Sequence, residues 1–237
     1  LDSVKQSGEK GLSKDYVLNW SYGIEETANL LIPAFKGGSS SKLLYGVEGS
    51  ETQEAFSRIR NNQKRRQFFR LTSAYWGKQP MTSGPVYIGA VVIYLFVLGL
   101  FIIRGPLKWW IVITTILAIM LAWGKNFMPL SSFFYNYFPF YAKFRTVTMI
   151  LFLAQLVIPI LGIHALKQIM EDGIDKEKLL SSIKYSFYIT GGFCLLFALL
   201  PDLFLDFTKG GRQTDALASQ APQLLEALKA DRKALLR

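Results

Sequence analysis

Apolar residues in this chain are gathered into long runs rather than spread evenly. Residues 1–84 are polar with short apolar islands. Four runs follow: Pro85–Ile103, Trp109–Trp123, Val147–Leu166 and Tyr185–Leu205. At 1.5 Å per helical residue Pro85–Ile103 comes close to the roughly 30 Å of bilayer hydrocarbon. No period-2 alternation runs through them, so a helical bundle is expected and not a barrel. The expected fold class is all-α, a polytopic helical membrane protein with four transmembrane helices in this stretch. The pattern divides the chain into a segment with short helices (1–84), a transmembrane bundle (85–205) with an interfacial aromatic segment at 124–146, and an amphipathic helix (206–237); the first and last are expected to be extracytoplasmic. In that last helix Leu217, Leu224, Leu225, Leu228, Leu235 and Leu236 form one stripe, with Lys229, Asp231, Arg232 and Lys233 largely off it. Such a stripe suits a membrane surface or docking on the first segment.

Local signals place shorter elements. A helix is expected over Ile24–Ile32, capped by Ser21 and stopped by Pro33. Glu25 and Glu26 then sit in its positive first turn. A carboxylate facing a sugar or a metal is the sharper reading of the same pair. A second helix is expected from Glu51 to about Phe69, with Ser50 and Gln53 as a capping box and Lys64-Arg65-Arg66 on a solvated face. Pro159 is a kink site in the third run. Gly191-Gly192 in the fourth allow close approach of another helix. Lys167–Lys184 reads as a charged loop.

Trp123–Thr146 fits neither a span nor an ordinary loop. Phe133, Phe134, Tyr135, Tyr137, Phe138, Phe140 and Tyr141 crowd it. Lys125, Lys143 and Arg145 are its cations, and it holds no carboxylate. Pro129 and Pro139 break any long helix there, so a bent segment at the headgroup depth is expected. Two readings stay open. One is an aromatic belt with snorkelling cations. The other is a surface that reads a phosphate, with Arg145 able to pair with it bidentately and Tyr141 close by.

Charge sharpens this picture. The net charge is +10 in 237 residues, half of them hydrophobic. Between Pro85 and Leu166 there is no Asp or Glu. The cations flank apolar runs, which points to anionic membrane lipid as partner and not to nucleic acid. Asp202 and Asp206 stand at i and i+4 at the end of the fourth run and are expected to share a helix face. An interfacial position or a role in ion handling is open for them. His164 reads as a boundary or core residue, since nothing near it in sequence completes a metal site. Cys194 is a small hydrophobe in an apolar run. No metal or cofactor is expected, and the oligomeric state is not legible.

No phosphate-cradling glycine loop, zinc spacing or serine-nucleophile motif is present in the sequence. A set of short strings, in order, resembles the YfhO-type family of bacterial membrane proteins. They are Trp20-Ser21-Tyr22-Gly23 with Glu26-Thr27, Leu31-Ile32-Pro33 with Gly37-Gly38, and Tyr75-Trp76-Gly77-Lys78-Gln79-Pro80. Ser83-Gly84-Pro85-Val86-Tyr87-Ile88-Gly89-Ala90, Trp123-Gly124-Lys125-Asn126, Tyr141-Ala142-Lys143-Phe144-Arg145 and Ala230-Asp231-Arg232 complete the set. That family is similar to GT-C glycosyltransferases, which take sugars from polyprenyl-phosphate carriers outside the membrane. The resemblance implies an inner-membrane, multi-pass protein acting with a polyprenyl-phosphate sugar on a cell-envelope glycan or polymer. The alternative is a protein that binds or moves a lipid-linked intermediate, or scaffolds an envelope assembly, without catalysis. In the family the catalytic carboxylate lies in an outer loop, expected upstream of Leu1, so the chain is expected to be an excised piece of a longer one. Charge is divided between the two sides; discounting the long segments tips Gly105 and Gly173 to the cytoplasmic side and the aromatic segment outside, and the resemblance likewise implies that residues 1–84 lie outside.

Overall fold

The structure is a computed structural model, and it describes residues 12–171 and 174–236. Gly173 lies outside them. Among the described residues eleven α-helices follow one another: Lys14–Val17 (α1), Glu51–Ser57 (α2), Asn62–Phe68 (α3), Ala90–Ile102 (α4), Pro106–Ala122 (α5), Met128–Tyr137 (α6), Leu151–Met170 (α7), Lys176–Leu199 (α8), Pro201–Phe204 (α9), Arg212–Gln220 (α10) and Pro222–Leu236 (α11). Short 3-10 turns link several of them. The described residues contain no β-strand, only one isolated bridge between Leu43 and Ser73. The fold is all-helical.

Among the described residues two helices are long and apolar enough to cross a membrane, Val147–Met170 and Lys176–Leu199. A third span exists if α5 and the following Gly124–Tyr137 count as one, although they are bent by 111°. The expectation of four spans is therefore too high. The first expected span fails because α4 has only 13 residues, about 20 Å. The amides of Ile88 and Gly89 both donate to the carbonyl of Leu30, which holds the residues before α4 out of the helix. Gly89, at φ 118°, then turns the chain into it. The fourth helix is shifted toward the amino terminus. It begins at Lys176, inside the expected charged loop, and a break at Leu200 ends it before Pro201 opens α9.

The chain divides into two compact units. The first joins the stretch that ends at Leu31 to Val86–Cys194. In it α7 packs against α4 and α5. Gly99 and Gly162 set the closest approach: a Cβ on Gly99 would lie 2.9 Å from Leu161, and one on Gly162 3.1 Å from Leu95. Gly192, by contrast, faces open space, and the side chain nearest a Cβ on Gly191 is Phe187 of its own helix, at 3.7 Å. The close approach expected at Gly191-Gly192 is thus made at other glycines. At one end of this unit Leu98, Ile102, Ile103, Ile111, Leu161 and Ala165 pack with Ile174, Leu179 and Ile183. That cluster gathers the α4–α5 turn and the α7–α8 turn. The amino-terminal stretch packs instead at the end of α5 and the start of α7, through Tyr22, Ala122 and Leu151 and through Val17, Leu18 and Val147. Large side chains such as Phe152, Leu156, Ile160 and Ile163 of α7 are left exposed, a surface suited to lipid.

The second unit joins Ile32–Pro85 to Leu195 onward. The single helix expected over residues 51–69 is two, because α2 stops after Ser57 and Asn61 starts α3 by accepting the amides of Gln63 and Lys64. Ser50 caps α2 as the capping box requires, accepting the Gln53 amide at 3.0 Å. The Gln53 side chain returns to the Gly49 amide, one residue earlier than in the standard box. Between the two placements open for the last helix, the structure takes docking on the first segment: Leu224, Leu225 and Leu228 pack with Leu44, Phe56 and Phe68.

Candidate functional site

The aromatic segment is built as an inward-locked turn followed by an outward-facing ring ladder. Trp123-Gly124-Lys125-Asn126 and Trp20-Ser21-Tyr22-Gly23, about a hundred residues apart, interlock. The Tyr22 amide donates to the carbonyl of Ala122 at 2.8 Å. The Asn126 side-chain amide donates to the carbonyl of Tyr22 at 2.8 Å. Ser21 Oγ accepts the Lys125 amide at 2.8 Å and donates to the carbonyl of Leu18 at 2.6 Å. Ser21 is therefore a clamp and not the expected helix cap; a 3-10 helix, Glu25–Leu30, begins without a side-chain cap. Trp123 Nε1 donates to Thr27 Oγ1 at 2.9 Å, so this tryptophan is tied into the protein. Gly124, at φ 48°, lets Ser21 close in: a Cβ there would stand 2.1 Å from Ser21 Oγ.

Beyond the lock, Pro129 lies in the first turn of α6 and helps start it. Phe138, which precedes Pro139, is extended, as sterics before proline require. Phe133, Phe134, Tyr137, Phe138 and Tyr141 contact one another in edge and tilted pairs at 5.3–6.0 Å. Phe133, Tyr137, Phe138, Phe140 and Phe144 are exposed. The stretch that opens with Leu12 lies along this segment. The Leu12 amide donates to the carbonyl of Ala142 at 2.9 Å, Tyr135 Oη donates to the carbonyl of Leu12 at 2.9 Å, and Lys14 Nζ donates to Ser132 Oγ at 2.8 Å.

The phosphate-site candidates differ in setting. Lys125, Lys143 and Arg145 have exposed side chains. Lys143 Nζ lies over the Phe140 ring, 5.0 Å from its centroid. Arg145 Nη2 donates to Tyr16 Oη at 3.0 Å, and that bond raises the guanidinium's pKa further. Tyr16 thus orients Arg145, a role that no motif in the sequence announced. Tyr141 faces inward against Val17, Leu18 and Val147. Burial raises its hydroxyl pKa, with the Ser131 hydroxyl opposing in part.

The carboxylate candidates separate. Glu25 is exposed, whereas Glu26 is 1% exposed and its side chain lies where a Cβ on Gly23 would meet it at 2.9 Å. Burial raises the pKa of the nearby Tyr22 hydroxyl well above its ordinary value, with Asn29 opposing and the Glu26 charge adding. Asp202 and Asp206 do not share a helix face as expected. The helix carrying Asp202 ends at Phe204, and Leu205 is extended. Asp202 pairs with Lys233, and Asp206 accepts the amide and hydroxyl of Thr208. His164 is exposed on α7. Among the described residues no group of three or more His, Cys, Asp or Glu is placed to hold a metal ion.

Two residues counted as the polar face of α11 prove to be structural. The Asp231 carboxylate accepts the Glu51 and Thr52 amides at 3.1 and 2.8 Å, closing the amino terminus of α2. Arg232, 3% exposed, donates to the carbonyls of Leu71, Ser73 and Phe207. Burial lowers its pKa to about 10, with Asp206 opposing, so it is charged at neutral pH. Compared with known families, curated proteins and solved structures, the chain has no match.

Proposed function

We propose that the chain is a portion of a multi-pass inner-membrane protein of the YfhO type. In this reading it takes part in moving sugar from a polyprenyl-phosphate-linked donor to a cell-envelope glycan or polymer. Lys125, Lys143 and Arg145 grip the donor's phosphate. The observation that carries the reading is the segment itself: cationic, free of carboxylates, edged with exposed rings, and set between a 111° bend and a helix of spanning length. A second reading is binding of a lipid-linked intermediate without catalysis. Asp202 and Asp206 are engaged, and Glu26 is buried. The phosphate grip is common to both.

Arg145→Lys keeps the charge and loses the planar fork held by Tyr16. Binding of a polyprenyl-phosphate analogue by the reconstituted protein is expected to weaken about tenfold, and Arg145→Gln to weaken it further. Wild-type affinity in a normally inserted Arg145→Lys protein returns the segment to a belt of snorkelling residues.

The proposed topology is open to labelling. The α4–α5 and α7–α8 turns meet in one apolar cluster. Cysteines at Arg104 and Glu171, in a Cys194→Ser background, are expected to react with a membrane-impermeant maleimide only from the cytoplasm. Both positions are exposed. Labelling of either from outside overturns the orientation, and labelling from opposite sides overturns the bundle.

A further inference from the structure

Between Ser57 and Gln67 the second unit carries Arg58, Arg60, Lys64, Arg65 and Arg66, and no Asp or Glu. These residues cover the end of α2, the turn after it and α3. Phe68, fully buried, holds α3 to the core of the unit. Two of the cations are engaged. Arg58 pairs with Glu54 at 3.8 Å, and the Arg65 guanidinium lies over the Phe56 ring, 5.3 Å from its centroid. That ring contact ties α3 to α2. Arg60, Lys64 and Arg66 form no ion pair among the described residues. Arg60 and Arg66 are exposed, and Lys64 is half-buried. The acids of this unit are placed elsewhere. Glu48 precedes α2 and Glu51 opens it, so a seven-residue helix, about 10 Å or one screening length, separates them from the turn. Asp202 pairs with Lys233, Glu226 pairs with Lys229, and Asp231 accepts the Glu51 and Thr52 amides. Asp206 accepts from Thr208, and its charge acts on Arg232. Asp215 stands in the first turn of α10. Through Thr214 that turn borders a cavity of about 560 Å³ that Arg70 and Arg232 also line, so Arg70 is not counted with the patch.

What meets this patch follows from where the unit is tethered. The unit takes in the last turn of α8, from Leu195, and α8 is of spanning length. Leu199, Leu200, Leu203 and Phe204 follow with exposed apolar side chains. A unit that starts inside a span stays beside the headgroup layer, and anionic headgroups attract basic segments held there. We propose that the turn after α2 and the exposed side of α3 dock on an anionic lipid surface, with Arg60, Lys64 and Arg66 against headgroup phosphates. Asn61, Asn62, Gln63 and Gln67 are exposed around them, and no large apolar side chain is exposed between Ser57 and Gln67. The contact is therefore electrostatic, without insertion into the hydrocarbon. Each cation shifts the ratio of seated to lifted unit about fivefold. The inference rests on α8 crossing the membrane and is separate from the grip proposed at Lys125, Lys143 and Arg145.

A bimane attached at Gln67→Cys tests this, in the full chain with Cys194→Ser, in nanodiscs that hold a lipid with a nitroxide on its headgroup. Gln67 is exposed on α3. Quenching is expected to be at least about twofold stronger in discs containing phosphatidylglycerol than in phosphatidylcholine alone, and about 0.5 M NaCl is expected to remove the difference. Arg66→Gln is expected to lower the seated-to-lifted ratio about fivefold. Arg60→Gln, Lys64→Gln and Arg66→Gln together are expected to return quenching to the phosphatidylcholine level. Arg104→Gln, which removes a cation of the first unit, is expected to leave it unchanged. A bimane attached at Leu199→Cys reports on the span itself. Its quenching in every lipid mixture marks α8 as inserted, and its absence overturns the span and the docking together. With α8 inserted, equal quenching at position 67 in the two lipids overturns the docking alone. An emission shift at position 67 on adding polyphosphate, with no effect of phosphatidylglycerol, assigns the face to a soluble polyanion and overturns it as well.

Discussion

Arg232→Met is expected to destabilise the second unit by on the order of 3–5 kcal/mol. Two effects oppose each other. Removing the guanidinium relieves the desolvation that lowers its pKa to about 10. It also strips the carbonyls of Leu71, Ser73 and Phe207 of their donor, inside a 3%-exposed site. A buried polar group left unpaired costs about 1–3 kcal/mol, so three of them outweigh the relief. Water entering from the adjoining cavity offsets part of this, which keeps the expected loss below the full sum. Arg232→Lys keeps the charge but cannot reach all three carbonyls, so it should fall between. Because Arg232 also ties α11 to Leu71 and Ser73, the loss is expected to appear as early opening around residues 71–73 and 207. Hydrogen exchange of the full chain in detergent, read peptide by peptide, is the measurement. Unchanged protection in Arg232→Met would show that the carbonyls find other partners and that the clamp is dispensable.

This clamp marks where reading the sequence fails. Periodicity sorts residues of α11 into an apolar stripe and a polar remainder, and a polar remainder is taken for a solvated face. Arg232 and Asp231 sit in that remainder, yet one is buried on carbonyls and the other caps α2 from 180 positions away. Nothing local in sequence encodes those partners. The failure at the first expected span is of the same kind. Pro85–Ile103 is apolar throughout, but the Leu30 carbonyl captures the amides of Ile88 and Gly89 and keeps the run's first residues out of the helix. What was legible had a local cause or a very long one. The Ser50 cap of α2 is written within four residues, and the α7 run is long enough that no tertiary contact breaks it. Asp202 and Asp206 fall between these cases. An i, i+4 pair shares a face only while the helix continues, and this helix stops at Phe204. Two of the short strings singled out in the sequence come together in the structure. Trp20–Gly23 and Trp123–Asn126 meet through two hydrogen bonds, from the Lys125 amide to Ser21 Oγ and from the Asn126 side chain to the Tyr22 carbonyl, and Glu25 and Glu26 stand, as expected, in the first turn of a helical element, the Glu25–Leu30 3-10 helix.

Gly124→Ala is expected to open that meeting. Gly124 stands at φ 48°, where a Cβ costs about 1–2 kcal/mol before any contact is counted. The contact is the larger part. The new Cβ would sit 2.1 Å from Ser21 Oγ, 2.9 Å from Ser21 Cβ and 3.0 Å from Val147 Cγ2. Rotating Ser21 away relieves the closest of these but leaves its Cβ in place. Rotation also gives up the bond from the Lys125 amide and the one to the Leu18 carbonyl. Each such bond contributes about 0.5–1.5 kcal/mol, so the whole change is expected near 3–4 kcal/mol, borne by the first unit. Lys125 would be released first, since its backbone is what Ser21 holds. Protease sensitivity should therefore rise between Trp123 and Pro129 while α7 stays protected. Ser21→Gly separates the two parts. Alone it costs only the two bonds; combined with Gly124→Ala it removes the collision with Ser21 and leaves the φ penalty and the Val147 contact, so the pair is expected to be less damaged than the sum of its singles. Strict additivity of the two substitutions, measured by pulse proteolysis of the full chain in detergent, would mean that Ser21 is not what Gly124 makes room for.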